Sequence, residues 1–171
     1  ESDCSDMLFV DSDISWDPGV FTKIMSHTHD KHGEPIEFIG GVYRGRGEPA
    51  HYVCVPLDGG NLDVDYPAGI AQVRGVGTGF LRITRAGLKR LIDALPENHW
   101  YHDDATAKGI HIWHLFDFTF DPKQDPGMRL RSEDYVLCDR FKAAGGKVWV
   151  DVELTLHHAG AHTWKGHFGD Y

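Results

Sequence analysis

Four apolar residues run directly into an acidic triplet at Met7-Leu8-Phe9-Val10-Asp11-Ser12-Asp13. A short continuous apolar run is typical of a strand buried on both faces, and we expect this strand to be parallel to its neighbours. Ligands of open α/β sheets bind outside the carboxyl ends of such strands. Two carboxylates on one turn can reach one hard cation, and oxygen ligands suit Mg²⁺ or Mn²⁺. A solvated loop is the alternative, but the apolar strand favours a cation site.

Strand and helix patterns alternate around this stretch, which indicates an α/β fold. Strands are predicted over residues 36–43, 51–55, 80–83, 147–150 and 152–156. Helices are predicted after the cap candidate Asp17-Pro18, from the cap Thr84 to Leu95, and from Ser132 to Gly145-Gly146. Residues 97–131 are rich in aromatic residues and histidine, and they predict a long loop with one or two strands.

The composition restricts the class of partner. The chain has 171 residues, the length of one domain, and its 17 basic and 26 acidic residues give a formal charge of −9. Because no basic run is available to neutralise phosphates, nucleic acid is not an expected partner. No apolar run approaches the ~20 residues of a membrane span. Three cysteines without a CxxC pair favour reduced thiols and a cytoplasmic location.

Two enzyme classes place Asp-x-Asp after an apolar strand. The first is the haloacid-dehalogenase-like phosphatases, in which the first Asp is the nucleophile and a downstream acidic pair is required. Asp170 comes too late in the chain to supply that pair. The second class is the nucleotide-sugar glycosyltransferases. An acidic protein that handles an anionic substrate of either kind needs a metal ion between the two sets of negative charge.

Four sequence blocks favour the second class, and they lie at residues 8–14, 40–43, 77–81 and 132–135. They are followed by residues 146–151 and by Leu156-His157-His158-Ala159-Gly160. With these blocks in this order, the chain resembles glycosyltransferases of the GT-A fold, particularly the GT2-like group and the related mannan-polymerase-type enzymes. The resemblance implies a mixed central sheet with flanking helices. It also implies a single partial catalytic domain over residues 1–171, truncated in its N-terminal nucleotide-binding strand–helix units.

The resemblance implies a metal-dependent, inverting glycosyltransferase. Asp11, Asp13 and His158 would hold Mn²⁺ or Mg²⁺ on the diphosphate of a UDP-, GDP- or dTDP-linked sugar. The Ser-Glu-Asp block is similar to the xED motif, so Asp134 would take the proton from the hydroxyl of a sugar or glycan acceptor. Glu133 would be its substitute or would bind the acceptor. A positioned carboxylate is suited to this step because a hydroxyl is a poor nucleophile until it loses its proton.

A further group of residues is expected to bind donor or acceptor. It consists of Gly77, Thr78, Gly79, Tyr43, Trp113, His114, His162 and Lys165. The small residues would allow close approach to the sugar, while the aromatic residues would stack on it or belong to the core. His162 and Lys165 would contact phosphate or lie exposed.

Several alternatives remain open in the sequence. Ser132, Glu133 and Asp134 also form a plain helix start, with a cap and an acidic first turn. His157 and His158 cannot both face one pocket from a strand, because side chains alternate. The alternative functions are a metal-dependent phosphohydrolase and a non-catalytic carbohydrate-binding domain.

Overall fold

A computed structural model describes residues 3–57, 60–66, 68–96, 99–101, 112–119, 130–160 and 164–167. The strands in these ranges are β1 (Asp6–Val10), β2 (Ile14–Trp16), β3 (Phe38–Gly41), β4 (Cys54–Pro56), β5 (Val64–Asp65), β6 (Ile70–Val76), β7 (Phe80–Thr84), β8 (Trp100–Tyr101), β9 (Ile112–Trp113), β10 (Val148–Asp151), β11 (Leu156–His158) and β12 (Trp164–Gly166). The helices are α1 (Val20–Ser26), α2 (Arg85–Asp93) and α3 (Glu133–Ala143).

The protein is mixed α/β, built on a seven-stranded mixed sheet. Its strand order is β1-β7-β3-β10-β6-β4, and β5 also pairs with β6. The β3–β10 pair is parallel, whereas the other pairs in this sheet are antiparallel. A small sheet of order β12-β11-β2 and a β8–β9 hairpin complete the described strands. The mixed sheet with flanking helices agrees with the coarse fold expected from the sequence.

The strand that precedes Asp11 differs from its prediction. β1 is antiparallel to β7 and ends the described sheet, so it is neither parallel nor fully buried. Met7 and Val10 are 44% and 38% exposed. An apolar run of this length cannot distinguish an outer strand from a central one, because an outer strand can also bury part of each face.

Two apolar clusters cover the two faces of the main sheet. Phe38, Leu91, Leu137 and Phe141 belong to the cluster that joins the sheet to α2 and α3. The neighbouring Ile39 belongs to the cluster on the opposite face, which includes residues of α1, β2 and β11. The alternation of side chains along β3 thus places successive residues in different layers. The small sheet is therefore packed against one face of the large one.

The helix boundaries largely follow the sequence signals. Thr84 caps α2 as predicted, since its Oγ1 accepts a hydrogen bond from the Gly87 amide at 3.0 Å. α3 begins one residue after Ser132, as expected. α1 instead begins after Gly19, whose φ of 92° favours glycine, and Asp17 is hydrogen-bonded to His157 rather than capping the helix.

Buried charged side chains link the end of α1 to strands of the main sheet. Arg82 on β7 is 4% exposed, and its Nε donates to Asp6 Oδ1 at 2.7 Å. Its Nη1 donates to the carbonyl oxygen of His27 at 2.6 Å. The His27 ring in turn lies 2.7 Å from the fully buried carboxylate of Asp151. These contacts join the end of α1 to three strands without leaving the buried charges unpaired.

Two further features concern membranes and thiols. Among the described helices, none is both long enough and apolar enough to cross a membrane. Cys54 and Cys138 are free thiols, and Cys4 is exposed. Burial raises the pKa of Cys54 to about 12 and that of Cys138 to about 11, so both stay protonated and unreactive near neutral pH.

Candidate functional site

The turn between β6 and β7 lies directly against the acidic triplet. Gly79 accepts a hydrogen bond from the Asp11 amide through its carbonyl oxygen at 2.9 Å. A Cβ atom added to Gly79 would lie 2.8 Å from Tyr43 Oη and 3.0 Å from Asp11 Oδ2. A Cβ at Gly77 would collide with the same tyrosine hydroxyl. The two glycines therefore allow the turn, the tyrosine and the carboxylate to pack together.

Asp134 reaches this turn from the first turn of α3. Thr78 Oγ1 donates to Asp134 Oδ1 at 2.5 Å, across 56 residues of sequence. The Ser132 side chain makes no capping hydrogen bond. The Ser-Glu-Asp block thus does more than open a helix, because its aspartate is directed to a residue of the Gly-Thr-Gly turn.

The electrostatics agree with this convergence of negative groups. Burial raises the pKa of Asp134, and the charges of Glu133 and Asp11 raise it further, while hydrogen bonds from Thr78 oppose the shift. Burial, together with the charges of Asp134 and Asp11, also raises the pKa of Tyr43. Tyr43 is therefore a neutral hydroxyl in the middle of the acidic group. The carboxylate of Asp134 is poised to accept a proton more readily than an ordinary aspartate.

Asp13 and His158 are brought together by the pairing of β2 with β11. In this register His158 lies opposite Ile14, and the Ala159 amide donates to the Asp13 carbonyl oxygen at 2.8 Å. His158 Nδ1 lies 3.0 Å from the carbonyl oxygen of Arg44, so Nδ1 carries the proton. The other ring nitrogen, Nε2, faces Asp13 Oδ2 at 3.5 Å. A backbone-anchored Nδ1 is the usual support for a metal-binding Nε2.

The His157 side chain lies on the opposite face of β11 from His158, because side chains alternate along a strand. Its Nε2 lies 2.8 Å from Asp17 Oδ1. The structure therefore places His158, and not His157, beside Asp13.

The donor types of Asp11, Asp13 and His158 fit a divalent cation, since carboxylate oxygens and one imidazole nitrogen suit Mn²⁺. Their potential ligand atoms are not all within 4.8 Å of one another. Arg46 instead pairs with Asp13 Oδ2 and donates to the Ala159 carbonyl oxygen at 3.0 Å. A cation that used Asp13 would have to replace Arg46, whose side chain is 48% exposed.

The other predicted binding residues belong to the β8–β9 hairpin and to β12, or lie outside the described residues. Trp113 pairs with Trp100 in the β8–β9 hairpin, and His114 follows it. Lys165 is paired with His157 through the backbone of β12, and its side chain is not described. His162 lies outside the described residues.

The sequence did not predict a second cluster of possible metal ligands. His99, His114 and Asp117 offer three ligand atoms that lie within 4.8 Å of one another. Among the described residues, this is the group of three that meets that distance. The density of histidines between 99 and 114 was a signal, but the pairing of the short hairpin strands decides which of them meet.

Comparison with known proteins supports the fold and nothing finer. No family model matches the chain, and no curated protein matches it significantly. The crystal structure of A197 from STIV is similar to this chain, with a TM-score of 0.51 and 16% sequence identity. The similarity covers 92% of this chain, which spans 59% of the other chain's length. At this identity the likeness is one of fold alone.

The packing of the Gly-Thr-Gly turn leads to a stability prediction. Gly79→Ala should lower the free energy of unfolding by about 1–3 kcal/mol, because the new methyl group meets the buried Tyr43. Gly60→Ala is the matched control, since nothing lies within 4 Å of its Cβ position, and its effect should stay within about 0.5 kcal/mol. Urea unfolding measures both. Equal effects of the two substitutions would show that the turn is loosely packed.

Proposed function

We propose that this protein is a metal-dependent glycosyltransferase that transfers a sugar from a nucleoside-diphosphate donor to an acceptor hydroxyl. The observation that carries the proposal is the contact between the Asp11 strand end, the Gly-Thr-Gly turn and Asp134. These groups come from separate parts of the chain. If each had only a structural role, such as ending a strand or starting a helix, they would not need to contact one another. The finer assignment of the fold as GT-A belongs to the same proposal and rests on the order of the sequence blocks.

The residues divide the chemistry between them. Asp11, Asp13 and His158 would hold Mn²⁺ or Mg²⁺, which when bound would offset the negative charge of the diphosphate leaving group. Asp134 would accept the proton of the acceptor hydroxyl as that oxygen attacks the anomeric carbon. Thr78 holds Oδ1 of that carboxylate, which orients the base. A single displacement on the face opposite the diphosphate would invert the anomeric centre.

Donor binding is expected to depend on both the metal and the acidic triplet. Titration calorimetry with UDP, GDP and dTDP in turn should give binding of one nucleotide in the presence of Mn²⁺ and none with chelator. Asp13→Ala should abolish this binding because it removes a metal ligand. Asp17→Ala, at an exposed aspartate of the same segment, should leave it unchanged. Nucleotide binding that ignores both Mn²⁺ and Asp13 would contradict the metal site.

An activity assay distinguishes the proposed transferase from the alternative functions. In a transfer assay with the bound nucleotide-sugar, Asp134→Asn should lower the rate by about 10²–10⁴ while nucleotide binding persists. Asp139→Asn, the same change five residues later in α3, should retain the rate. Release of inorganic phosphate without an acceptor would instead indicate the phosphohydrolase. Sugar binding that is insensitive to metal would indicate the carbohydrate-binding domain.

The raised pKa of Asp134 predicts the pH dependence of transfer. The base works only when ionised, so the rate should fall toward acid at a pH above that of an ordinary aspartate. Thr78→Val removes a hydrogen bond that favours the ionised form, and it should move this acidic limb to still higher pH. Thr22→Val, at an exposed threonine of α1, is the control. An acidic limb that stays in place in an active Thr78→Val enzyme would exclude Asp134 as the titrating base.

A further inference from the structure

The β8–β9 hairpin places two histidines side by side outside the proposed transfer site. Trp100 pairs with Trp113, and the His114 amide donates to the His99 carbonyl oxygen at 2.9 Å. The two imidazole rings are stacked with centroids 5.5 Å apart and an interplanar angle of 18°. The backbone thus holds both rings close together on one side of the hairpin.

Asp117 adds a carboxylate to the pair. One potential ligand atom from each of His99, His114 and Asp117 lies within 4.8 Å of the other two. Two imidazoles and one carboxylate form a common protein ligand set for zinc, and small side-chain movements bring atoms at this separation to tetrahedral distances. The cluster is partly exposed at His114, which leaves a route for an ion from solvent.

The position of Arg140 shows where the lone pairs of this cluster point. Its Nη2 lies 3.0 Å from His99 Nε2 and 3.0 Å from Asp117 Oδ2. A guanidinium can only donate, so His99 Nε2 is unprotonated, as a metal ligand must be. Arg140 Nη1 is held separately by the carbonyl oxygens of His114 and Leu115, at 2.9 and 2.8 Å. A positive group therefore already occupies the point on which two of the ligand atoms converge.

We propose that His99, His114 and Asp117 form a zinc site, in which the ion takes the place of Arg140 Nη2. Imidazole nitrogen with one carboxylate favours Zn²⁺ over Mg²⁺, which prefers an all-oxygen set. The site shares no residue with the Asp11, Asp13 and His158 group, which lies in the turn between β1 and β2 and on β11. Phe116 packs edge-on against Phe9 of β1 with centroids 5.7 Å apart. Zinc at this place would therefore tie His99 to the segment over residues 112–119, which contacts β1 through Phe116.

Titration calorimetry of the full chain with Zn²⁺ alone tests the proposal. The wild type should bind one tight equivalent, and His99→Gln and His114→Gln should each weaken it at least about tenfold, as expected for loss of a ligand. His29→Gln, at an exposed histidine elsewhere, should leave it unchanged. Circular dichroism establishes that each variant is folded. Equal zinc binding by all four proteins, or no tight binding by the folded wild type, would overturn the site.

Two further variants sharpen the assignment. Arg140→Gln should tighten Zn²⁺ binding, since it removes the competing guanidinium. Weaker binding would contradict the proposal that zinc takes the place of Arg140 Nη2. Asp11→Asn combined with Asp13→Asn should leave the tight zinc equivalent intact. Loss of that equivalent in this double variant would place the zinc at the acidic triplet and overturn the proposal.

Discussion

The close packing of the Gly77-Thr78-Gly79 turn against Tyr43 and Asp11 is the constraint on which the candidate site depends. The turn joins β6 to β7, and β7 pairs with β1, so its position is set by the register of the main sheet. Only glycine leaves room for the tyrosine hydroxyl at the first and third positions. The residue between them is then free to hold Asp134. One short turn thereby connects the end of β1 with the start of α3.

The distribution of charge gives this arrangement its chemical character. Burial raises the pKa of Asp134, and the nearby charges of Glu133 and Asp11 raise it further. Among the described residues, Arg46 forms its ion pair with Asp13. Negative charge at this surface disfavours the approach of a phosphate-bearing ligand, and a bound cation would offset that repulsion. The two candidate metal clusters differ in their ligand types: the first has two carboxylates and one imidazole, and the second has two imidazoles and one carboxylate. In each of them an arginine pairs with an aspartate.

Several helix boundaries could be predicted from short stretches of the sequence. The cap at Thr84 and the start of α3 both followed from single residues at the expected positions. β6 was missed, although Ile70–Val76 is the longest described strand and lies between β10 and β4. Its polar residues, Gln72 and Arg74, interrupt an otherwise apolar segment, so no continuous run drew attention to it. The outer position of β1 depends on long-range pairing, which a local pattern does not contain.

The candidate site could also be predicted only in part from the sequence. Residues adjacent in sequence, such as Asp11 and Asp13, could be grouped from their spacing, and the alternation rule correctly separated His157 from His158. The contact of Thr78 with Asp134 spans 56 residues and could be anticipated only through a family resemblance. Arg46 was not anticipated at all. It belongs to a loop between strands, and nothing in its neighbourhood indicates that it pairs with Asp13.

Diffraction from crystals grown with Mn²⁺ and the bound nucleoside diphosphate tests the central claim most directly. The account predicts an anomalous manganese peak in contact with the nucleotide phosphates, Asp13 and His158 Nε2, with Arg46 moved away from Asp13. A nucleotide bound elsewhere, or manganese found only beside His99 and His114, would contradict it.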